Sequence, residues 1–294
     1  MNSSTFFAPA KLNLFLAVTG RRPDGFHDLV SLVAPVTWGD TLRVEPTPGD
    51  FSLECDHPEV PCDETNLVLK AARAFRTTSG WEGGARFFLE KRIPVGAGLG
   101  GGSSDAATAL RALNELSGGR LTPAALEKVA AEVGSDCPLF LRAGPVMMRG
   151  RGEQIEALSA RTAERLRGRR VLIFKPAFGI STPWAYARLA SDPAKNYLPP
   201  APAEAKLAGW VKDEQSLLAD LLFNSFELPV FSKHVALPTL LVDLRKRFGL
   251  QPGMSGSGSA CFACLPDDAP VPEIVATIRT AWGNPAFAVE TRLA

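Results

Sequence analysis

The sequence predicts an α+β protein of two units, residues 1–160 and 161–294. Three observations carry this. Apolar residues recur at alternating spacing in some segments and at helical spacing in others, in both halves of the chain. A polar stretch at residues 159–170, with Arg161, Arg165, Arg167, Arg169 and Arg170, interrupts that pattern. A chain of 294 residues, 46% of them hydrophobic, has room for one large or two ordinary domains with a sizeable core.

Residues 11–18 place Leu12, Leu14 and Leu16 on alternate positions and read as a strand. Residues 41–45 and 85–91 are further strands. Residues 66–77 space Leu67, Ala71, Ala74 and Phe75 as one face of a helix, and residues 104–116 do so with Ala107, Leu110 and Leu113. Thr122 before Pro123 reads as an N-cap and first helical residue, and Gly134 as the stop. Residues 171–175 form a strand. Proline and alanine crowd residues 193–205, a surface excursion. Helices near 215–222 and 239–248 follow, then a glycine-serine loop at 253–259, a strand at 260–265, a helix at 272–282 and a short last strand.

Net charge is +1, from 32 basic and 31 acidic residues, which gives no basis for a nucleic-acid or membrane-surface partner. The arginine-rich stretch therefore reads as a solvated connector. No apolar run approaches the roughly 18 residues of a membrane span. Neither a signal nor a transit pattern is visible, so the expected location is the cytoplasm. The five cysteines, an odd number in a long chain, argue against a disulfide framework. Cys261 and Cys264 form a C-x-x-C without further zinc ligands at suitable spacing, and read as small side chains in a strand.

The densest chemical signal is Pro94-Val95-Gly96-Ala97-Gly98-Leu99-Gly100-Gly101-Gly102-Ser103-Ser104, directly before a helix. Glycine admits positive φ and close approach of a ligand to the backbone. The helix start presents unpaired N–H groups and partial positive charge. Together they suit a phosphate. Gly96-x-Gly98-x-x-Gly101 also fits a dinucleotide fingerprint, but that requires a βαβ unit with an acidic residue about 20 positions on, and residues 114–124 show no such strand end. A Walker A loop requires a lysine where Gly102 stands. A ligand-free structural turn is the third reading.

Taken with Ala8-Pro9-Ala10-Lys11-Leu12-Asn13-Leu14 and Met254-Ser255-Gly256-Ser257-Gly258-Ser259-Ala260-Cys261, this loop resembles the three ordered motifs of the GHMP kinases (galactose, homoserine, mevalonate and phosphomevalonate kinases). The resemblance spans nearly the whole chain. It implies the two-domain GHMP kinase fold, with a ribosomal-protein-S5-domain-2-like N-terminal unit and a ferredoxin-like C-terminal unit. Two further segments, Gly20-Arg21-Arg22-Pro23-Asp24-Gly25-Phe26-His27 and Gly134-Ser135-Asp136-Cys137-Pro138-Leu139-Phe140, sharpen the match. They resemble the 4-diphosphocytidyl-2-C-methyl-D-erythritol kinases of the non-mevalonate isoprenoid pathway. That implies phosphorylation of the substrate's 2-hydroxyl by ATP, with Mg²⁺.

The resemblance also implies roles. Lys11 and Asn13 share one strand face; by residue type alone that face meets water, whereas the family match makes Lys11 catalytic and Asn13 substrate-binding. Asp136, by position alone a cap or turn residue, becomes the catalytic aspartate and general base. The eleven residues from Pro94 to Ser104 become the ATP site, with Ser103 or Ser104 offering a hydroxyl to phosphate or metal-bound water. Phe26 and His27 correspond to a Tyr-His pair, Phe26 stacking on the cytosine and His27 bonding its edge. Phe26 lacks the hydroxyl of the usual tyrosine. Thr182 and Tyr186 correspond to further substrate contacts, Tyr186 closing the other side of the base. Ser255, Gly256, Ser257 and Gly258 form a loop near the nucleotide. No oligomeric partner is implied. A GHMP kinase with another acceptor, a nicotinamide oxidoreductase and a non-catalytic nucleotide binder remain as alternatives.

Overall fold

The computed structural model describes residues 3–294. Two long strands open the chain, β1 (Ser4–Arg21) and β2 (His27–Thr47). Contacts divide the chain into two compact units that are discontinuous in sequence. Among the described residues, the first holds 3–11, 38–95 and 100–143; the second holds 12–37, 96–99 and 144–294. This partition differs from a single boundary near residue 160. Residues 159–170 lie wholly within the second unit.

In the first unit, β2 is followed by β3 (Phe51–Cys55), α1 (Leu67–Ser79), β4 (Gly84–Glu90), α2 (Gly101–Leu116), α3 (Pro123–Val133) and a 3-10 turn at Pro138–Leu141. β4 pairs antiparallel with β2 and parallel with β3. Leu42, Val44, Phe87 and Leu89 of this sheet pack with Val68, Phe75, Ala109 and Leu113 of α1 and α2 into one core. Local signals place the helix ends. The Asn66 side chain accepts from Val68 N, and Thr122 accepts from Ala125 N ahead of Pro123. After α2 comes another helix, not a strand parallel to β4, so the βαβ unit of a dinucleotide fingerprint does not form. α2 begins at Gly101, three residues earlier than its apolar spacing suggests, because glycines and serines carry no periodic signal.

The second unit continues with β5 (Val146–Gly150), β6 (Gln154–Ala157), α4 (Ala160–Glu164), β7 (Arg170–Lys175), α5 (Thr182–Ala190), α6 (Pro193–Asn196), α7 (Pro200–Lys212), α8 (Leu218–Leu221), β8 (Phe223–Asn224), α9 (Glu227–Phe231), α10 (Ala236–Phe248), β9 (Pro252–Met254), β10 (Cys261–Cys264), α11 (Val271–Trp282) and β11 (Phe287–Arg292). β11, β7, β10 and β9 form an antiparallel sheet in that order. Leu172, Phe174 and Ala263 of this sheet pack on Leu240, Leu244 and Ile278 of the helices.

Three expectations change here. Residues 193–205 hold α6 and the start of α7, joined through 197–199, rather than an excursion: prolines at the first turns of α6 and α7 start helices instead of excluding them. The helix near 215–222 shrinks to the single turn of α8. The arginine-rich stretch is structured, since Ser159 caps α4 and the Arg165 guanidinium donates to the carbonyls of Trp210, Asp213 and Ser216. No helix among the described residues is long and apolar enough to cross a membrane.

Candidate active site

The glycine-rich loop begins where β4 ends, and a buried ionic network holds that point. Asp40 on β2 accepts the backbone N–H groups of Arg92 and Ile93 at 2.6 and 2.7 Å. The Lys91 ammonium pairs with Asp40 and, at 2.7 Å, with Asp105 on α2. All three side chains are almost sealed from water. Burial works against the charged lysine, but the two carboxylates together outweigh it and hold its pKa above the ordinary value. Burial pushes the Asp105 carboxyl up to about 7, against the pull of Lys91, and Asp40 adds to the rise. Strand end and helix start are thus tied together. Sequence reasoning missed Asp40, Lys91 and Asp105. Their only signal is a charged residue inside an otherwise apolar helix face or strand end.

Gly100 occupies the N-cap of α2 in the left-handed region, at φ 74°, with no side-chain cap. A Cβ there would stand 2.8 Å from the Phe140 ring and 3.0 Å from Lys11 Cγ. Only glycine lets the uncapped helix start approach the lysine stem so closely. Lys11 Nζ lies 3.9 Å from Asp136 Oδ2. Lys11 is buried, not water-facing as its residue type alone suggests, because both faces of β1 are covered between Ala10 and Val18. Burial lowers the Lys11 pKa, and Asp136 partly restores it. Asp136 sits between the α3 cap and the 3-10 turn, a short segment that leaves its carboxylate half-exposed. The two serines separate: Ser103 is partly exposed and bonds the Cys137 thiol, whereas Ser104 is sealed, its hydroxyl without a partner among the described residues.

In the second unit the Ser255–Ser259 loop braces residues 96–99. The Ala260 N–H donates to the Ala97 carbonyl at 3.0 Å, and the Ser255 hydroxyl donates to the Gly98 carbonyl at 3.0 Å. A Cβ on Gly98 would collide with the Ser255 carbonyl oxygen. The Asn13 N–H donates to the same Ser255 hydroxyl at 3.2 Å, so one serine joins the first, second and third motifs. The Asn13 side chain donates to Ser31 Oγ, and Thr182 Oγ1 bonds Ser257 Oγ at 2.9 Å.

His27 gathers aromatic rings around it. The Tyr186 ring lies 4.9 Å away, tilted by 34°, and the Tyr197 ring packs edge-on with its hydroxyl 3.0 Å from Nε2. Burial, with Arg21 adding to it, lowers the His27 pKa and favours the neutral ring, which carries one donor and one acceptor. Phe26 is largely exposed and lies under the Arg151 guanidinium at 4.9 Å. Sequence reasoning missed Tyr197, which lies inside the segment read as an excursion.

The GHMP kinases N-terminal domain family model matches residues 66–144, the span that holds the helix start, Ser103 and Asp136. A 4-diphosphocytidyl-2-C-methyl-D-erythritol kinase of Synechococcus elongatus is 37% identical over 297 residues, covering 97% of this chain and 93% of its own length. The chain belongs to the 4-diphosphocytidyl-2-C-methyl-D-erythritol kinase family. A crystal structure of 4-(cytidine 5'-diphospho)-2C-methyl-D-erythritol kinase superposes with a TM-score of 0.77 at 35% identity, over 99% of this chain and all of that one. The Methanococcus jannaschii mevalonate kinase, at 13% identity and a TM-score of 0.74 over 100% of this chain and 99% of its own, shows the shared GHMP kinase fold alone. The family's motif residues therefore sit on a backbone that other GHMP kinases also use.

Proposed function

We infer that this protein transfers the γ-phosphate of ATP to the 2-hydroxyl of 4-diphosphocytidyl-2-C-methyl-D-erythritol, an intermediate of the non-mevalonate isoprenoid pathway, in the cytoplasm. The observation that carries this reading is the buried Lys11 ammonium beside Asp136, its stem packed on the N-cap glycine of α2. In phosphoryl transfer the protein chiefly positions and neutralises charge. Asp136 accepts the proton of the attacking hydroxyl. Lys11 stabilises charge on the transferring group. The uncapped N–H groups of α2 and the loop from Pro94 to Leu99 hold the phosphates.

His27 reads the cytosine edge, flanked by Tyr186 and Phe26, and Asn13 and Thr182 orient the substrate. A neutral imidazole supports this role because it offers both a donor and an acceptor. Among the described residues no group of three or more His, Cys, Asp and Glu could form a metal cage. The residues present fit a Mg²⁺ held mainly by the triphosphate and water, with Ser103 as the accessible hydroxyl. When bound, that ion supplies charge neutralisation at the β- and γ-phosphates.

The test is the position of the new phosphate after incubation with Mg-ATP and the cytidyl substrate, read by ³¹P and ¹H NMR. A monoester at the 2-hydroxyl is expected, with no turnover of mevalonate or homoserine. Turnover of either of those and none of the cytidyl substrate would overturn the assignment.

A further inference from the structure

Asn224 is buried, and its side chain spends every bond on backbone. Its Nδ2 donates to the Met254 carbonyl at 2.7 Å and to the Gly256 carbonyl at 2.8 Å, while its Oδ1 accepts the Phe226 N–H at 2.9 Å. The two carbonyls it grips lie on either side of Ser255. Glu227, three residues on, accepts the Met254 N–H at 2.8 Å. Ser225 N donates to the Leu16 carbonyl, and Ser225 Oγ accepts the Val18 N–H, so the same segment is anchored to β1. Asn224, Ser225 and Glu227 belong to none of the glycine motifs.

The hold on Ser255 has a directional consequence. Ser255 Oγ donates to the Gly98 carbonyl, and Ala260 N donates to the Ala97 carbonyl. In a trans peptide the C=O and the following N–H point in opposite directions. Pinning the carbonyls of Ala97 and Gly98 toward the Ser255 loop therefore aims the N–H groups of Gly98 and Leu99 away from it. Those are two consecutive amide donors in the stretch that the kinase reading assigns to ATP phosphates. A positive-φ glycine has many alternative peptide orientations, so the donors need an external constraint to stay aligned.

We propose that Asn224 is a positioning residue for phosphate binding: through its grip on Met254 and Gly256 it aims the Ser255 hydroxyl, which orients the Gly98–Leu99 amides toward ATP. This rests on the kinase reading above, and turnover by the wild type tests that reading separately. Asn224→Asp keeps the shape and the bond to Phe226 N but turns both donated bonds into contacts between oxygens. Ser255→Ala removes only the hydroxyl.

The experiment measures affinity for a non-hydrolysable Mg-ATP analogue by calorimetry, together with KM for the cytidyl substrate and the thermal midpoint. Each single variant is expected to weaken analogue binding about tenfold, the loss of one well-placed bond to the loop. The double variant is expected to be no weaker than the worse single one, because both changes cut the same chain of contacts. KM for the cytidyl substrate is expected to change less than analogue affinity. Unchanged analogue affinity in either folded variant, fully additive losses, or equal losses for both ligands would overturn the proposal. Should Asn224→Asp fail to fold, Ser255→Ala decides by itself: tenfold weaker analogue binding supports the proposal and unchanged binding overturns it.

Discussion

Lys11 Nζ stands 3.9 Å from Asp136 Oδ2, with side-chain exposures of 6% for the lysine and 42% for the aspartate. The asymmetry suits a carboxylate that must meet a substrate hydroxyl and an ammonium that must not be lost to solvent. Asp136→Asn keeps the shape and removes the proton acceptor. It is expected to fold and bind ATP while kcat falls by about 10²–10⁴, the usual contribution of general base catalysis. Single-turnover kinetics with the cytidyl substrate checks this, and near-normal turnover would remove Asp136 from that role.

Lys11 also sets a pH expectation. Burial holds its pKa below 10.5, so between the lowered value and 10.5 the folded state binds fewer protons than the unfolded one. Stability gains from this residue as pH rises through that window, whereas activity that requires the ammonium declines. The alkaline limb of kcat/KM should therefore fall below the ordinary lysine range. Lys11→Arg, whose guanidinium does not titrate there, should retain residual activity without that limb. The same limb in the variant would assign it to another group.

Tyr197 fixes the imidazole of His27 through a 3.0 Å contact at Nε2. Tyr197→Phe retains the edge-on ring packing and frees that nitrogen. An uncharged hydrogen bond contributes about 0.5–1.5 kcal/mol, so KM for the cytidyl substrate should rise roughly two- to tenfold. KM for ATP should stay within about twofold, since an interaction confined to one substrate leaves binding of the other unaltered. A matching rise in both would place Tyr197 in general packing.

Asp105 predicts a pH-dependent stability. Its carboxyl titrates near 3.8 when unfolded and at about 7 when folded, so the folded state holds the proton more tightly across that interval. Stability from this residue is thus lost as pH rises from 3.8 to about 7. Asp105→Asn still offers an acceptor to Lys91 but does not titrate. The midpoint of the variant minus that of the wild type should grow across the same interval, read by differential scanning calorimetry. A constant difference would show that the proton is not taken up there.

The legible parts of the fold were those governed by neighbours in sequence. The Thr122-Pro123 start, the Gly134 stop and the apolar spacing of α1 act within one or two turns, and the structure carries them as read. α6 and α7 were illegible because proline marks a helix start as readily as a break, and only packing decides between the two.

For the site, the order of the motifs in the sequence determined by itself the family, and it singled out the glycine-rich loop, Lys11, His27 and Asp136 as candidates. Tertiary structure alone decided that Lys11 is buried against a glycine N-cap, that Asp40, Lys91 and Asp105 tie the end of β4 to α2, and that Tyr197 and Asn224 stand behind His27 and Ser255. The physical reason is range. Capping and periodicity are local, whereas a buried charge or a pinned carbonyl depends on distant partners, 14 residues apart for Lys91 and Asp105 and 157 for Ser255 and Gly98.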